Sequence, residues 1–193
     1  MRNTFDRFNG RHQDYQAARP SYAQEFLDWL GELYAPPERY TAADIGSGTG
    51  KLSAQLLAAG FRVCGVEPNP DMRGAAEALL GGDPRFSSSN GTDHDTGLPD
   101  RSVDMVAAAQ AFHWFDGPAF ARECRRILRP GGRAVLVWNV RGSAPMNQAL
   151  AQVFREHCPS FHGFTGGMGE DDPRIRDFFG GAYEKRRDRK SVV

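Results

Sequence analysis

The chain of 193 residues is long enough for one domain with a sizeable core and short for two. Its 24 Lys and Arg residues balance 24 Asp and Glu residues, so no net basic field would attract nucleic acid or an anionic membrane. Hydrophobic residues make up 40% of the chain, which is too many for a disordered polymer, and no apolar run reaches the roughly 18 residues of a membrane span. We therefore expect a globular domain without a nucleic-acid or membrane partner.

Strand and helix signals alternate along most of the chain. The pattern predicts a helix over 21–34 with Ser21 as its N-cap, a strand over 41–46, a helix after the glycines of 46–50 and a strand over 61–67. It continues with a helix over 71–80, a weak strand over 85–91, a buried strand over 102–110, a helix over 118–128 and a strand over 133–139. Such alternation predicts an α/β fold, a doubly wound parallel sheet with helices on both faces.

The C-terminal part breaks this pattern. One more helix is predicted over 146–157, after which the periodicity fades. A doubly wound sheet normally continues past a fifth strand, so we expect the last strands to be missing. The charged end of the chain, EKRRDRK over 184–190, is typical of a solvated terminus. The alternative is an artefact over 188–193, because DRKSVV is also what GAT CGG AAG AGC GTC GTG encodes, which resembles a sequencing-adapter read. The predicted units are a helical arm over 1–35, a core over 36–140, and a helix with an irregular tail over 141–193.

The first residues and the cysteines indicate the compartment. The sequence MRNTFDRFNGRHQDYQ contains no apolar segment of a secretory signal. Cys64, Cys124 and Cys158 are widely spaced and form no CxxC pair, so we expect neither a disulfide framework nor a metal site. These features favour a cytoplasmic protein.

A glycine-rich segment joins the first predicted strand to the next helix. It reads DIGSGTG over 44–50, and its glycines allow a ligand to pack against N–H groups at the helix N-terminus. Seventeen residues after Gly50, Glu67 ends the second strand, where a carboxylate can accept both ribose hydroxyls of an adenosine moiety. Dinucleotide enzymes use GxGxxG, whereas here the glycines fall as GxGxG with Asp44 two residues before Gly46.

These motifs resemble those of the class I S-adenosylmethionine-dependent methyltransferases, in which an acidic residue precedes xGxGxG. The segment VEPNPDM (66–72) is similar to the second motif of that family, and GTDHDTGLPDRSVDMV (91–106) to its third and fourth. The segment ILRPGGRAVLV (127–137) is similar to the turn before its fifth strand. The stretches DYQAARPSYA (14–23) and AQAFHWFD (109–116) resemble the small-molecule subgroup often called type 11.

The resemblance implies S-adenosylmethionine as the cofactor and a small molecule as the methyl acceptor. Together with the glycine loop, it implies as cofactor-binding residues Asp44, Gly46, Ser47, Gly48, Gly50, Glu67, Met72, Thr92, Asp93, Gln110, Tyr15 and Arg19. In this assignment Glu67 binds the ribose, Met72 lies near the adenine, and Tyr15 and Arg19 close over the methionine end. Thr92 and Asp93 take the adenine-edge position, where the family usually has a small residue followed by an acid.

Methyl transfer from a sulfonium needs alignment and exclusion of water, so a dedicated catalytic residue is not obligatory. A base is required only for an acceptor that arrives protonated, and His113 is the candidate in the sequence, with a place in the pocket wall as the alternative. The aromatic residues Phe112, Trp114 and Phe115 either line an acceptor pocket or cap the sheet.

Two other functions stay open at this point. A noncatalytic or truncated methyltransferase-like fragment would bind the cofactor without turnover. An NAD(P)-dependent reductase would use the same glycine loop, although the GxGxG spacing speaks against it. The sequence does not predict an oligomeric state.

Overall fold

The structure, a computed structural model, describes residues 21–139, 150, 152–154, 156–158, 168–169 and 171–187. The predicted cofactor ligands Tyr15 and Arg19, most of the predicted N-terminal arm and residues 188–193 lie outside the described residues. Of the predicted helix over 146–157, residues 150, 152–154 and 156–157 are described and helical. The division into three units stays a prediction.

Besides the described helical residues of 150–157, the described part of the chain contains five helices and five strands. The helices are α1 (Gln24–Leu33), α2 (Lys51–Ala58), α3 (Pro70–Leu80), α4 (Gly117–Ile127) and α5 (Pro173–Phe178). The strands are β1 (Thr41–Ile45), β2 (Arg62–Val66), β3 (Phe86–Ser89), β4 (Val103–Ala109) and β5 (Leu128–Val137). Short 3-10 turns occur at Pro37–Arg39 and Phe112–Trp114.

The strands form one parallel sheet in the order β3-β2-β1-β4-β5. The register is fixed at the centre, where Ala43 of β1 lies opposite Cys64 of β2 and Val106 of β4. The chain winds outward from β1 to β3, then returns to place β4 on the other side of β1. The predicted doubly wound α/β fold is thereby confirmed. Such folds bind ligands in a crevice at the carboxyl ends of the strands, around the point between β1 and β4 where the strand order reverses.

Helices cover both faces of the sheet because strand side chains alternate between the two. On one face, α1 and α2 pack against the strands. The buried cluster that they form together includes Leu30, Ala42, Leu52, Leu56, Phe61, Val63, Met105 and Ala107. On the other face, α4 and α5 contribute to a second buried cluster. It includes Ala43, Ile45, Val66, Val106, Ala108, Phe120, Ile127 and Phe178. Burial on both sides is the arrangement that parallel strands require.

The first helix begins later than its pattern predicts. Ser21 is not the N-cap; α1 is capped by Ala23, whose side chain makes no capping hydrogen bond. The reason lies in α2, where the side-chain amide of Gln55 accepts a hydrogen bond from the Tyr22 N–H and donates one to the Tyr22 carbonyl, both at 3.0 Å. These bonds hold the backbone before α1 against α2 and delay the first helical turn.

The fifth strand begins earlier than predicted. Leu128 already pairs with Val103 of β4, and the pairing resumes at Met105 with Arg133. Between them the chain shifts register, and Gly131 takes a positive φ of 82°. The segment before Arg133 therefore acts as an irregularity within β5 and not as a loop in front of it.

The tail contains a helix that the sequence analysis did not predict. Asp172 caps α5 by accepting a hydrogen bond from the Arg174 N–H at 3.0 Å, and Pro173 occupies the first helical position. Ile175 and Phe178 are buried in the core under α4. Helix α5 therefore covers part of one face of the sheet. In the part of the chain that is described, no helix is long and apolar enough to cross a membrane.

Candidate functional site

The glycine loop over 46–50 is hydrogen-bonded to the end of the neighbouring strand β2. The backbone N–H groups of Gly46 and Ser47 both donate to the carbonyl of Val66, at 2.9 and 3.1 Å. The Gly50 N–H donates to the Ser47 carbonyl at 3.0 Å, and Gly50 caps α2 with no side-chain hydrogen bond. The first turn of α2 thus has no side-chain cap, which leaves a positive helix end suited to a carboxylate or another anion.

Two glycines of this loop differ in their surroundings. Gly46 has a φ of 70°, and an added Cβ would lie 2.8 Å from the Cβ of Ala111 and 3.2 Å from the Phe115 ring. Gly48 has a φ of 57°, and nothing lies within 4 Å of the position of its missing Cβ. Gly46 is therefore required by close packing and backbone conformation together, whereas Gly48 borders open space.

Asp44 is a buried carboxylate at the end of β1. Its side chain is 1% exposed, and Oδ2 accepts a hydrogen bond from the Ser53 hydroxyl of α2 at 2.7 Å. Burial raises the pKa of Asp44 to about 6; hydrogen bonds from Ser53 oppose the rise, and the charge of Glu67 adds to it. Oδ1 is buried and accepts no hydrogen bond from any described residue. An acceptor left in this state fits a donor supplied by a ligand.

Glu67 connects the two loops that follow β1 and β2. Its Oε2 accepts a hydrogen bond from the Gly48 N–H, and its Oε1 accepts one from the Asn69 N–H, both at 2.9 Å. Burial raises the pKa of Glu67, although these N–H groups and the Arg73 guanidinium lower it in part. Each carboxylate oxygen can accept a further hydrogen bond. The carboxylate is thus fixed in orientation beside the glycine loop while it keeps acceptor capacity.

Three residues that organise this region are not among those predicted from the sequence. Ser53 donates to Asp44, and Asn69 both caps α3 and donates its N–H to Glu67. Arg73 donates from Nη1 to the Glu67 carbonyl at 2.8 Å and to the Asn90 side chain at 3.0 Å, which ties the loop after β2 to the loop after β3. Only Asn69 carried a local signal, since Asn followed by Pro is typical of a helix start.

The residues predicted at the adenine edge lie in the loop after β3. The Thr92 backbone and hydroxyl bond to the Asp95 backbone, at 2.8 and 3.1 Å. The Asp93 carboxylate accepts the Asp116 N–H at 3.0 Å, and its other oxygen lies 3.1 Å from Nδ1 of His94. Asp93 is therefore held against the N-terminus of α4.

Two further predicted ligands lie on either side of the crevice. Met72 is 3% exposed on the buried face of α3, so its side chain contributes to packing and offers little open surface. Gln110 follows β4 with a φ of 54°, and its side-chain amide donates to the Asn139 carbonyl at 2.9 Å. Gln110 therefore ties the ends of β4 and β5 together.

The aromatic stretch after β4 divides into core and surface residues. Phe112 is 1% exposed and packs edge-on against Phe178 at a centroid distance of 5.2 Å, so it caps the sheet. Phe115 contacts the loop at Gly46, whereas Trp114 is 46% exposed. The candidate base His113 lies in the turn Phe112–Trp114, with its ring 4.8 Å from that of Trp114. Of the three aromatics, Trp114 offers the largest surface to an acceptor.

Comparisons with known proteins identify a methyltransferase domain in the chain. Residues 43–136 match the type 11 family model, described as a methyltransferase domain. An uncharacterized methyltransferase of Mycobacterium tuberculosis is 42% identical over 127 residues, which cover 66% of this chain and 49% of the relative. The chain spans about half the length of the curated relatives that it matches most strongly.

Solved structures share the fold. A candidate type II methyltransferase from Anaeromyxobacter dehalogenans superposes with a TM-score of 0.58 and 34% identity, over 84% of this chain and 64% of that one. A structure from Methanococcus maripaludis, named as an S-adenosylmethionine-dependent methyltransferase, superposes over 84% of this chain and 85% of that one with a TM-score of 0.57. Its 19% identity speaks for the fold alone. Residues 43–136 therefore match a methyltransferase domain, and the described part of the chain has the fold of the class I methyltransferases.

Proposed function

We propose that the chain binds S-adenosylmethionine where β1 and β2 end and transfers its methyl group to a small-molecule acceptor. The observation that carries the proposal is the Glu67 carboxylate, held by the N–H groups of Gly48 and Asn69. A carboxylate fixed beside a glycine loop at this edge of a doubly wound sheet is the arrangement that binds adenosine hydroxyls.

The donors and acceptors of the site fit this cofactor. Ribose hydroxyls match the remaining acceptor capacity of Glu67, and an ammonium group, which only donates, matches Oδ1 of Asp44. The N-terminus of α2, which lacks a side-chain cap, suits the carboxylate of the methionine moiety. Each of the three polar groups of the cofactor therefore has a counterpart of complementary chemistry.

The cofactor supplies a methyl group activated by a sulfonium. The contribution of the chain is to bind, to orient and to exclude water. In this proposal the loop over 46–50 and Glu67 fix the adenosine, and the turn Phe112–Trp114 borders the acceptor. His113 would take a proton from an acceptor that arrives protonated, because an imidazole titrates near neutral pH.

Isothermal titration with S-adenosylhomocysteine tests cofactor binding. We expect saturable one-site binding, and Glu67→Gln to weaken it roughly 30-fold, since a hydrogen bond to a charged group contributes about 2 kcal/mol. The matched control is Asp104→Asn. Asp104 also accepts a backbone N–H, that of Thr41, but at the opposite end of β1. The Asp104→Asn substitution should leave the affinity for S-adenosylhomocysteine unchanged.

The alternatives give different results in the same assay. Binding of NADH in place of S-adenosylhomocysteine would favour a reductase and contradict the proposal. Methyl transfer is tested separately with labelled S-adenosylmethionine and a panel of nitrogen, oxygen, sulfur and carbon acceptors. Cofactor binding without transfer to any of them would support a noncatalytic fragment. Loss of turnover in His113→Ala near neutral pH, restored at a pH high enough to deprotonate the acceptor without a base, would support the base assignment. Unchanged turnover across the pH range would remove it.

A further inference from the structure

The loop over 90–98 is fastened to α4 at two places. Near its start, Asp93 accepts the N–H of Asp116, the N-cap of α4, at 3.0 Å. Further along, Thr96 donates to Oε1 of Glu123 from its backbone N–H at 2.9 Å and from its hydroxyl at 2.6 Å. Asp116 and Glu123 are seven residues apart, so they lie on the same side of the helix. The loop therefore runs along α4 and is held at both ends.

Glu123 is a buried charge that serves this attachment. It is 6% exposed, and the Arg126 guanidinium donates to both of its oxygens, at 2.8 and 2.7 Å. Burial alone would raise the pKa of Glu123, but hydrogen bonds from Arg126 and Thr96 hold it at about 2. Replacing a buried ion pair by apolar residues often leaves stability unchanged or higher. Stability alone is therefore a weak reason for a carboxylate at this position.

Thr96 has no solvent-exposed surface, and its N–H, its carbonyl and its hydroxyl all form hydrogen bonds. Besides its two bonds to Glu123, its carbonyl accepts the Ser89 hydroxyl at 2.8 Å, and its own hydroxyl accepts the Leu98 N–H at 3.2 Å. Ser89 is the last residue of β3. Thr96 thus fixes the loop to the sheet and to α4 together, three residues after Asp93.

We propose that Thr96 and Glu123 are positioning residues that set the affinity for the cofactor by holding Asp93 in place. The inference rests on the proposed function and on the expectation, implied by the family resemblance, that Asp93 takes the adenine-edge position. Neither residue needs to touch the ligand. Because the loop is ordered before binding, its conformational entropy is lost on folding and does not weaken the complex.

The first test compares two carboxylate attachments of the same kind. Thr96→Val removes the hydroxyl bond to Glu123, and we expect S-adenosylhomocysteine to bind about tenfold more weakly, the effect of one hydrogen bond. Thr96→Ser keeps the hydroxyl and should retain the affinity. The control, Asp104→Asn, disrupts a carboxylate that accepts both the Thr41 N–H and the Arg129 guanidinium, and it should bind like the wild type.

A double-mutant cycle separates positioning from a general structural effect. If Thr96 acts through Asp93, Thr96→Val should cost little further affinity in an Asp93→Ala background. Equal losses in both backgrounds would overturn the inference. Glu123→Gln, which keeps the shape and removes the charge, replaces Thr96→Val in the cycle if that variant does not fold.

The remaining outcomes are distinguishable. If the wild type, Thr96→Val and Glu123→Gln all bind S-adenosylhomocysteine equally well, the positioning role is wrong and the proposed function stands. If the wild type does not bind it, the proposed function fails and the positioning role fails with it.

Discussion

The two sides of the crevice are built from different interactions. The polar side consists of residues 44–50 and 67–69, where buried carboxylates accept hydrogen bonds from backbone N–H groups and from Ser53. The aromatic side consists of four rings, with centroids of neighbouring pairs 4.9 to 6.3 Å apart: Phe112, Phe115, Phe120 and Phe178. Gly46 belongs to the polar side and touches the aromatic side through Phe115.

This difference separates binding from stability. On the polar side, burial raises the pKa values of Asp44 and Glu67, so both charges cost stability at neutral pH. On the aromatic side, buried rings contribute hydrophobic and edge-to-face energy. Substitutions on the polar side should therefore change ligand affinity most, and substitutions on the aromatic side should change the free energy of unfolding most.

The largest effect is expected at Gly46, where the two sides meet. Gly46→Ala forces an alanine to a φ of 70° and places its Cβ 2.8 Å from the Cβ of Ala111. Left-handed strain and overpacking should together lower the free energy of unfolding by about 2–5 kcal/mol and abolish measurable cofactor binding. Chemical denaturation and isothermal titration measure the two losses.

Gly131→Ala is the matched control for that change. Gly131 has a φ of 82° but no atom within 4 Å of the position of its missing Cβ, and it lies in β5 away from the loop. It should cost only the backbone strain, about 1 kcal/mol, with the affinity unchanged. Equal losses of unfolding free energy and affinity in Gly46→Ala and Gly131→Ala would show that the close packing around Gly46 has no special role.

Phe178→Ala tests the aromatic side by itself. The ring is 7% exposed and stacks on Phe120 at 5.1 Å, so its removal should lower the free energy of unfolding by about 3 kcal/mol. The affinity for S-adenosylhomocysteine should change less than about threefold, since no residue of the polar side is altered. As a control, Tyr183→Ala removes a ring that is 41% exposed and should cost about 1 kcal/mol or less. A large loss of affinity in Phe178→Ala would contradict the separation of the two sides.

The polar side was largely predictable from the sequence, and the aromatic side was not. The loop over 46–50 and Glu67 are local signals, because glycine spacing and the strand end fix their positions. The partners of the aromatic cluster come from positions as far apart as Phe112 and Phe178, and the six-residue helix α5 is too short for a periodic pattern.

Contacts distant in sequence explain the other misses. The bond between Thr96 and Glu123 joins residues 27 positions apart, and the bonds from Gln55 that displace the start of α1 reach back 33 positions. Such contacts depend on packing between elements, so they cannot be predicted from the local propensities of the sequence. The doubly wound parallel architecture followed from the alternation of strands and helices, which is why the fold class was predicted.

The smallest of these effects is the pH dependence from Asp44. Its pKa is raised in the folded state to about 6, so its contribution to stability is fully present below the unfolded value of 3.8 and lost as the pH rises through 6. Asp44→Asn removes this dependence. Relative to that variant, the wild type should lose about 2 kcal/mol of unfolding free energy between pH 4.5 and 7, at about 1.4 kcal/mol for each pKa unit. Urea denaturation across this range measures the difference, and parallel profiles would show that Asp44 is not a buried charge.

Amide hydrogen exchange with and without S-adenosylhomocysteine tests the central claim, that the cofactor binds where β1 and β2 end. The account predicts slower exchange on binding in residues 46–52, 67–73 and 92–96, with β5 and α5 unchanged. Protection confined to the aromatic side, or no protection at a concentration that saturates binding, would contradict it.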